Sequence, residues 1–381
     1  MLYDPTGPGF PAKAHAVYRE MRDRFPVYRA PDGQFYALSR FADVRAAAMD
    51  WKRFSSSGKT EALYFKTTLN GIDPPNHLKL RKLIGGEFSA NRVARLEHDI
   101  RALTRQLIAD FAGQGRCEIV GSFAALLPSM VTGKLLGVPP ERWAEGREIT
   151  DAIMRVRSPQ DFEAPAARCY QLFQDVIDER RRHPGSDLMS ALLSAEVDGE
   201  RLSEDELLAF GFALLVGGND TTASLIAGGL ELLSRHTEAR RQLTEDPALI
   251  PGAVEEMLRF ASPTHATPRT ATCDIEYPYG TIPAGARVIL LWTSANHDER
   301  EFSDPERFDI LRRPTRQLAF GFGPHVCIGA RLARLEARIA FEELLPRMPG
   351  YQVTATPPPV ISSVFSGFES LHLEFRTPAL A

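Results

Sequence analysis

The sequence has few cysteines and no long apolar runs. Its 381 residues include 4 cysteines, at positions 117, 169, 273 and 327, and no two of them form a Cys-x-x-Cys pair. This spacing argues against a zinc module, a c-type haem attachment and a disulfide framework, and it predicts a reducing, cytoplasmic setting. Because no run of about 18 apolar residues and no apolar leader occurs, we expect neither secretion nor membrane insertion.

The sequence also lacks a strong charge imbalance. The formal net charge is -4, and 44% of the residues are hydrophobic while 25% are charged. This composition is typical of a globular protein and gives no general signal for nucleic-acid binding. The length exceeds the usual limit of about 250–300 residues for one core, so length alone favours two domains.

Helical patterns dominate the chain, and strand patterns are few. The longest helix is predicted over residues 203–237, where Ser203 and Glu206 form a capping box and the middle is almost wholly apolar. Short strands are predicted in "QFYALS" and "RVILLWTSAN", and a hairpin is predicted around Gly367. The fold class predicted from these patterns is mainly α with small β-sheets.

One cysteine stands in a glycine-rich loop before a helical pattern, in "FGFGPHVCIGARLAR", residues 320–334. A helix N-terminus stabilises a thiolate through its dipole and its free N–H groups, so Cys327 is a candidate soft metal ligand. The glycines of the loop remove side chains where a flat ring would approach. The alternative from the residues alone is a buried structural cysteine in a glycine turn.

A second unusual stretch, "GGNDTT", lies inside the longest predicted helix, from Gly217 to Thr222. Two glycines in an apolar helix cost about 1 kcal/mol each relative to alanine, and a buried Asp220 is costly without partners. The Thr221 hydroxyl can bond a backbone carbonyl one turn earlier and distort the helix. Three such departures together indicate a site, and the alternative is a helix kink with a buried aspartate.

The loop pattern FGxGxHxCxG resembles the haem-binding loop of the cytochrome P450 family, with every position filled. The resemblance implies that Cys327 is the axial ligand of the iron of haem b, iron protoporphyrin IX, and that Gly329 belongs to the same cofactor-binding loop. It also implies that Phe320 packs against the porphyrin and that His325 hydrogen-bonds a propionate.

The stretch inside the long helix resembles the oxygen-binding groove of the same family. The resemblance implies that Gly217 and Gly218 make room for O2 and substrate. It also implies that Asp220 and Thr221 form an acid–alcohol pair that delivers protons during oxygen activation.

Further matches follow in the order that the family shows. "EEMLR" and "FSDPERFD" resemble a structural network that would comprise Glu256, Arg259 and Arg307. "DPPNHLKLRKL" and "PRTAT" imply propionate partners in His77, Arg81 and Arg269, because two carboxylates need charge-assisted donors. Without the cysteine loop, each of these basic residues would be read as a surface residue.

The resemblance covers nearly the whole chain and implies one haem domain over residues 1–381. This domain would have a β-rich lobe and a helical body shaped as a triangular prism, with haem between the long helix and the cysteine loop. No fused reductase is expected, so electrons would come from a ferredoxin-type donor with its ferredoxin reductase. The donor's docking surface is predicted to be a basic patch of five residues: Lys79, Lys82, Arg92, Arg331 and Arg334.

The leading hypothesis is a monooxygenase that uses O2 to hydroxylate or otherwise oxidise a small to medium hydrophobic substrate. A peroxide-driven peroxygenase and a non-catalytic haem-thiolate binding or sensor protein remain as alternatives. The substrate pocket is predicted to draw on six residues: Leu63, Tyr64, Phe65, His265, Val364 and Phe365. For His265, a structural role is an equal alternative.

Overall fold

The structure is a computed structural model that describes residues 3–57, 68–154, 159–197 and 199–377. Most of these residues are helical, which confirms the predicted helical class. The helices are α1 (Phe10–Arg24), α2 (Phe41–Met49), α3 (Asn76–Gly85), α4 (Ala90–Arg95), α5 (Glu97–Ala112), α6 (Leu126–Leu136), α7 (Trp143–Met154), α8 (Pro159–Arg182), α9 (Leu188–Ser194), α10 (Glu204–Arg235), α11 (Thr237–Glu245), α12 (Ile250–Ala261), α13 (Trp292–Asn296) and α14 (Ala330–Arg347).

The strands are short and lie in small sheets. They are β1 (Val27–Arg29), β2 (Tyr36–Leu38), β3 (Phe54–Ser55), β4 (Arg116–Glu118), β5 (Glu196–Val197), β6 (Glu200–Arg201), β7 (Ala266–Ala271), β8 (Ile275–Tyr277), β9 (Gly280–Ile282), β10 (Arg287–Leu291), β11 (Gln352–Val353) and β12 (His372–Glu374). The largest sheet has the order β1-β2-β10-β7-β3, in which only the β2–β10 pair is parallel. A second sheet has the order β11-β12-β4.

Helix α10 forms the centre of the helical body. Its N-terminus carries the predicted capping box, in which the Ser203 hydroxyl accepts from the Glu206 amide and the Glu206 carboxylate accepts from the Ser203 amide. The helix packs against α6, α8, α12 and α14, which explains why its middle is apolar. Within the described residues, no helix is both long enough and apolar enough to span a bilayer.

The C-terminal region departs from the predicted hairpin. The described residues around Gly367 form two isolated bridges, Thr264 with Phe365 and Pro359 with Phe368, before β12 begins. A side chain at Gly367 would lie 2.5 Å from the Ser224 hydroxyl oxygen on α10, so this glycine allows a close approach to the central helix. Gly367 is therefore not at the turn: its carbonyl accepts from the Val360 amide at 2.9 Å, and the prolines at 357–359 have no amide hydrogen with which to extend the ladder.

Candidate active site

The cysteine loop is held in shape by backbone bonds and two left-handed glycines. Gly321 and Gly323 have φ values of 71° and 75°, which disfavour residues with a side chain. The Cys327 amide donates to the Phe320 carbonyl at 2.9 Å and closes the loop. A Cβ at Gly323 would lie 2.6 Å from the Ala48 carbonyl oxygen. Gly323 therefore lacks room for a side chain because of α2, whereas the sequence suggested that the glycine gives clearance for a ring.

The Cys327 thiol lies where α14 begins. The amides of Gly329 and Ala330 donate to it, as expected for a thiolate at a helix N-terminus. Burial raises the pKa of the thiol, while these amides and the nearby Arg81 and Arg334 guanidiniums oppose that rise.

The surface of Cys327 opens into a cavity of about 360 Å³. The residue is exposed by its accessible area, yet protein surrounds the thiol closely enough for burial to dominate its pKa. The surrounding protein decides the pKa of the thiol, because it sets how well a charged sulfur is solvated. Arg81, Phe88 and Arg331 also line this cavity.

Four basic side chains converge beside the loop: His77 and Arg81 from α3, Arg269 from β7, and His325. The His77 and His325 rings lie 4.1 Å apart between centroids. His77 is fully buried, and neither ring nitrogen has a hydrogen-bond partner within the described part of the chain. The Arg269 guanidinium donates to its neighbouring Pro268 carbonyl at 2.7 Å.

Burial and mutual repulsion depress the pKa values in this basic cluster. The pKa of His77 falls to about 4 and that of His325 to about 3, in both cases first through burial and then through neighbouring cations. Burial likewise lowers the pKa of Arg269 to about 10. Asp73 is the acidic group that opposes these shifts, and its carboxylate lies 4.0 Å from His325 Nε2. His325 Nε2 lies 3.2 Å from the Ser56 hydroxyl, so the nitrogens without partners are those of His77. A buried basic cluster with polar atoms left unpaired fits a ligand with carboxylates.

The middle of α10 is open at Gly217. A Cβ there would meet no atom within 4 Å, whereas one at Gly218 would lie 3.0 Å from the Thr132 hydroxyl of α6. The Thr221 hydroxyl donates to the Gly217 carbonyl at 2.9 Å, which is the bond that the sequence suggested, and α10 stays a continuous α-helix there. The two glycines thus differ: Gly217 leaves open space and Gly218 permits close helix packing.

Asp220 is held by an arginine that the sequence did not reveal. Arg147 of α7 donates to Asp220 Oδ1 at 3.3 Å and also pairs with Asp151. The Asp220 Oδ2 atom is buried and has no hydrogen-bond partner among the described residues. Burial raises the pKa of Asp220, although the Arg147 charge lowers it in part. Arg147 and Asp151 stand at i and i+4, a pattern too common to indicate contact with another helix.

The predicted Glu-Arg-Arg network exists with a different third member. Arg259 Nε and Nη2 donate to both carboxylate oxygens of Glu256 at 2.7 and 2.8 Å, and both side chains are fully buried. Arg312 Nε donates to Glu256 at 3.1 Å. The prediction that Arg307 completes this network is wrong, because its side chain is 70% exposed and lies 3.7 Å from Asp309. Arg307 contributes its carbonyl, which accepts from Arg312 at 3.0 Å.

The predicted substrate residues fall into two groups. Leu63, Tyr64 and Phe65 lie outside the described residues. His265 is buried, its Nε2 lies 3.0 Å from the Ser362 carbonyl, and its amide donates to the Val364 carbonyl at 2.8 Å. Phe365 bridges Thr264, so His265, Val364 and Phe365 are brought together. The structural role weighed for His265 is present, and its Nδ1 atom has no partner within the described chain.

The predicted basic patch is largely neutralised. Lys79 pairs with Glu200, and Arg92 pairs with Glu87 at 3.3 Å. Arg334 is bound by Glu255 and stacks over Phe320 at 4.5 Å. The remaining two members, Lys82 and Arg331, are exposed and have no ion pair with the described residues. They are the cations that this surface offers to a partner.

Comparisons with known proteins agree with this geometry. The family model for cytochrome P450 matches residues 154–349. A curated relative, the steroid C26-monooxygenase of Mycobacterium tuberculosis, is 38% identical, with 96% of this chain and 94% of that protein covered. Cytochrome P450 130 of the same species is 37% identical, with 88% of each covered.

Solved structures give the same result. Cytochrome P450 CYP109Q5 from Chondromyces apiculatus has a TM-score of 0.93 and 36% identity, and all of both chains is covered. CYP109E1 from Bacillus megaterium in complex with testosterone has a TM-score of 0.88 and 30% identity, with 95% of this chain and 99% of that chain covered. The predicted fold and enzyme class are confirmed. This chain belongs to the cytochrome P450 family and is an oxidoreductase of its monooxygenase type.

Proposed function

We propose that this protein is a haem-thiolate monooxygenase that oxidises an apolar substrate with electrons from a separate protein. The observation that carries the proposal is the basic cluster beside a cysteine at a helix N-terminus, in which both nitrogens of the buried His77 lack partners within the described chain. Cys327 would hold the iron of haem b, and His77, Arg81, Arg269 and His325 would bind its two propionates.

Haem bound to a thiolate supplies the reductive activation of O2. The chain's own contribution on the cysteine side is to stabilise the sulfur's charge with the Gly329 and Ala330 amides and with Arg81. Because Arg81 belongs to the basic cluster as well, one side chain serves both the thiolate and the carboxylates.

On the α10 side, the chain can hold and move a proton. Asp220 Oδ2 is suited to carry one, because burial raises the pKa of that carboxyl while Arg147 keeps Oδ1 fixed. The Thr221 hydroxyl uses its hydrogen on the Gly217 carbonyl, so its oxygen lone pairs remain available as acceptors. Gly217 leaves the space into which substrate and oxygen would fit.

We assign the electron donor to the ferredoxin class, with its reductase as the second component. A small acidic protein would be steered to the exposed Lys82 and Arg331. The cavity behind Arg331 reaches Cys327, so this surface lies next to the thiolate.

We assign the substrate to apolar molecules, with steroids the first class to test. A curated relative is named for steroid oxidation, and one solved relative was captured with testosterone. Phe365 and Val364, held by His265, would form part of the apolar wall.

The absorption spectrum of the reduced, CO-bound protein tests the proposed cofactor. We expect a red-shifted Soret band that Cys327→Ala abolishes. Cys273→Ala is the matched control, because Cys273 is a free and exposed thiol. A band that survives Cys327→Ala, or one lost in the control, would contradict thiolate ligation by Cys327.

Turnover assays separate the monooxygenase from a peroxygenase. With a ferredoxin system and O2, steroid-class substrates should yield oxygenated product, and Thr221→Ala should divert electrons to peroxide and lower the yield per electron. Faster product formation with H2O2 alone would overturn the proposal. Tight ligand binding without any turnover would instead indicate a binding or sensor protein.

A further inference from the structure

A cluster of metal-ligating side chains lies outside the proposed haem site. It joins His15 of α1, His297 at the C-terminal cap of α13, and Glu306 in the loop that follows. One ligand atom from each residue lies within 4.8 Å of the other two. His297 and Glu306 lie close together in the sequence, but His15 comes from the other end of the chain, so no sequence motif reveals the set.

His297 has the burial and the tautomer that are typical of a histidine that binds a metal. Its ring is fully buried, and its Nδ1 lies 3.0 Å from the Thr293 carbonyl, to which it donates as the protonated nitrogen. That bond fixes the tautomer and leaves Nε2 as a bare acceptor, the arrangement that backbone carbonyls impose on metal-bound histidines. Nε2 is buried and has no hydrogen-bond partner among the described residues.

His15 and Glu306 provide the other two ligands. The His15 and His297 rings lie 4.4 Å apart between centroids, and His15 Nδ1 lies 3.4 Å from Glu306 Oε2. Arg19 approaches the other oxygen, Oε1, at 3.9 Å, so Oε2 remains for a ligand. The His15 and Glu306 side chains are 42% and 37% exposed, which leaves water access to a fourth position.

The surrounding charges permit a cation at this position. Arg22 and Arg259 lie near enough to lower the pKa of both histidines, but each has its own carboxylate, Glu299 at 3.0 Å and Glu256 at 2.7 Å. The bond from His297 Nδ1 to the Thr293 carbonyl leaves its Nε2 without a hydrogen, so this ring can bind as a neutral imidazole. Neutral imidazole is the form that binds metals.

We propose that His15, His297 and Glu306 form a binding site for one divalent transition-metal ion, of which zinc is the best match. Two imidazoles and one carboxylate, with water as the fourth ligand, form a donor set that zinc takes in proteins. Tetrahedral ligands of zinc lie roughly 3.3 Å apart, so ligand atoms now within 4.8 Å of one another would close by up to about 1.5 Å on binding. The partly exposed His15 and Glu306 side chains can make that movement.

The ion would fasten α1 to the segment that precedes the cysteine loop. Glu306 adjoins Arg307, whose carbonyl accepts hydrogen bonds from Arg259 and Arg312 of the buried network. A metal at this position therefore stabilises the same loop that the network holds, without touching substrate or haem.

Equilibrium dialysis of the haem-loaded protein against zinc tests the site. The protein is made without a polyhistidine tag, stripped with a chelator and assayed for zinc per haem. We expect one zinc per chain, with affinity lowered tenfold or more by His15→Gln and by Glu306→Gln. His98→Gln should change nothing, because His98 is 94% exposed and lies beside a carboxylate without a third ligand.

Further results would support or overturn the proposed zinc site. A zinc-edge anomalous peak between His15 and His297 in a crystal of the haem-loaded protein would support the site directly. Equal zinc affinity in all variants would overturn the proposal, as would loss of binding on Cys273→Ser, which would place the ion on the exposed thiol. Because His15 and Glu306 are partly exposed, their variants should fold, and an unchanged Soret band verifies this.

Discussion

Two buried clusters of charge in this molecule are built on opposite principles. In the first, Glu256 accepts from Arg259 and Arg312, and the remaining arginine donors reach backbone carbonyls such as Asn296 and Pro305. In the second, the basic cluster, both nitrogens of His77 lack partners within the described chain. A network that closes on itself stabilises the fold, whereas one left with spare donors is prepared for a ligand.

The largest effect is expected from opening the closed network. Arg259→Met leaves Glu256 as a buried charge with only Arg312 and the Asp309 amide as partners among the described residues, and it should lower the free energy of unfolding by about 3–5 kcal/mol. Chemical denaturation followed by circular dichroism measures the change. Arg307→Met is the control and should cost less than about 0.5 kcal/mol, because its side chain is exposed. An equal loss in the free energy of unfolding in both variants would show that the Arg307 side chain belongs to the network.

A buried carboxyl whose Oε2 atom has no hydrogen-bond partner among the described residues gives a third case. Glu336 of α14 is buried, and burial raises the pKa of its carboxyl from 4.5 to about 8. Below pH 4.5 the carboxyl is neutral in both the folded and the unfolded chain, so the free energy of unfolding is at its full value. As the pH rises from 4.5 to 8, only the folded chain keeps the proton, and that stability is progressively lost.

Glu336→Gln should therefore gain stability over the parent protein by about 3 kcal/mol as the pH rises from 5 to 8. The difference between the two denaturation curves isolates Glu336, since histidines titrate in both proteins. A pH-independent difference would show that Glu336 finds an ion partner.

Changing the open cluster should separate ligand binding from folding. His77→Leu removes two buried nitrogens without partners, so the haem-free protein should be equally stable or more stable by about 1 kcal/mol. Haem retention should fall about tenfold, which corresponds to about 1.4 kcal/mol.

Haem transfer to a scavenging protein measures retention in that variant. Leu78→Ala, on the exposed side of the same helix, is the control. If His77→Leu destabilised the haem-free protein instead, its ring would belong to the fold rather than to the ligand site.

The smallest effect is expected at the partner surface. Arg331→Glu should slow reduction by a ferredoxin about three- to tenfold at low salt and weaken the salt dependence of the rate. Stopped-flow reduction measures this change. Arg182→Glu, on α8, which packs against α7, α9 and α10, is the control. Arg334 is a poor test, because Glu255 neutralises it and its guanidinium stacks on Phe320.

Sequence patterns predict this fold well where one local rule dominates. The capping box located the start of α10 at Ser203, and α14 begins where the helical pattern indicates. The strand expected in "RVILLWTSAN" is right for β10, but its second half, Trp292–Asn296, forms helix α13 instead. The mainly α class followed from these patterns and the family fold from the resemblance, and the comparisons confirm both.

What sequence could not give depends on contacts between distant elements. Arg307 and Arg312 lie in the same loop, and only the backbone path decides which guanidinium turns inward. Arg147 reaches Asp220 from another helix, and no periodicity signals such a contact. The hairpin expected around Gly367 gave way to close packing against Ser224, a tertiary demand that outweighs local strand preference.

The left-handed turn at Gly323 has a consequence for protein engineering. Its backbone passes so close to the Ala48 carbonyl that even a methyl group would collide with it. A cysteine loop grafted from another family member would therefore need a matching α2, and random libraries over residues 320–329 should recover glycine at 323 almost without exception. Helix α2 and the loop are best treated as one exchangeable part, although they stand about 270 positions apart in the chain.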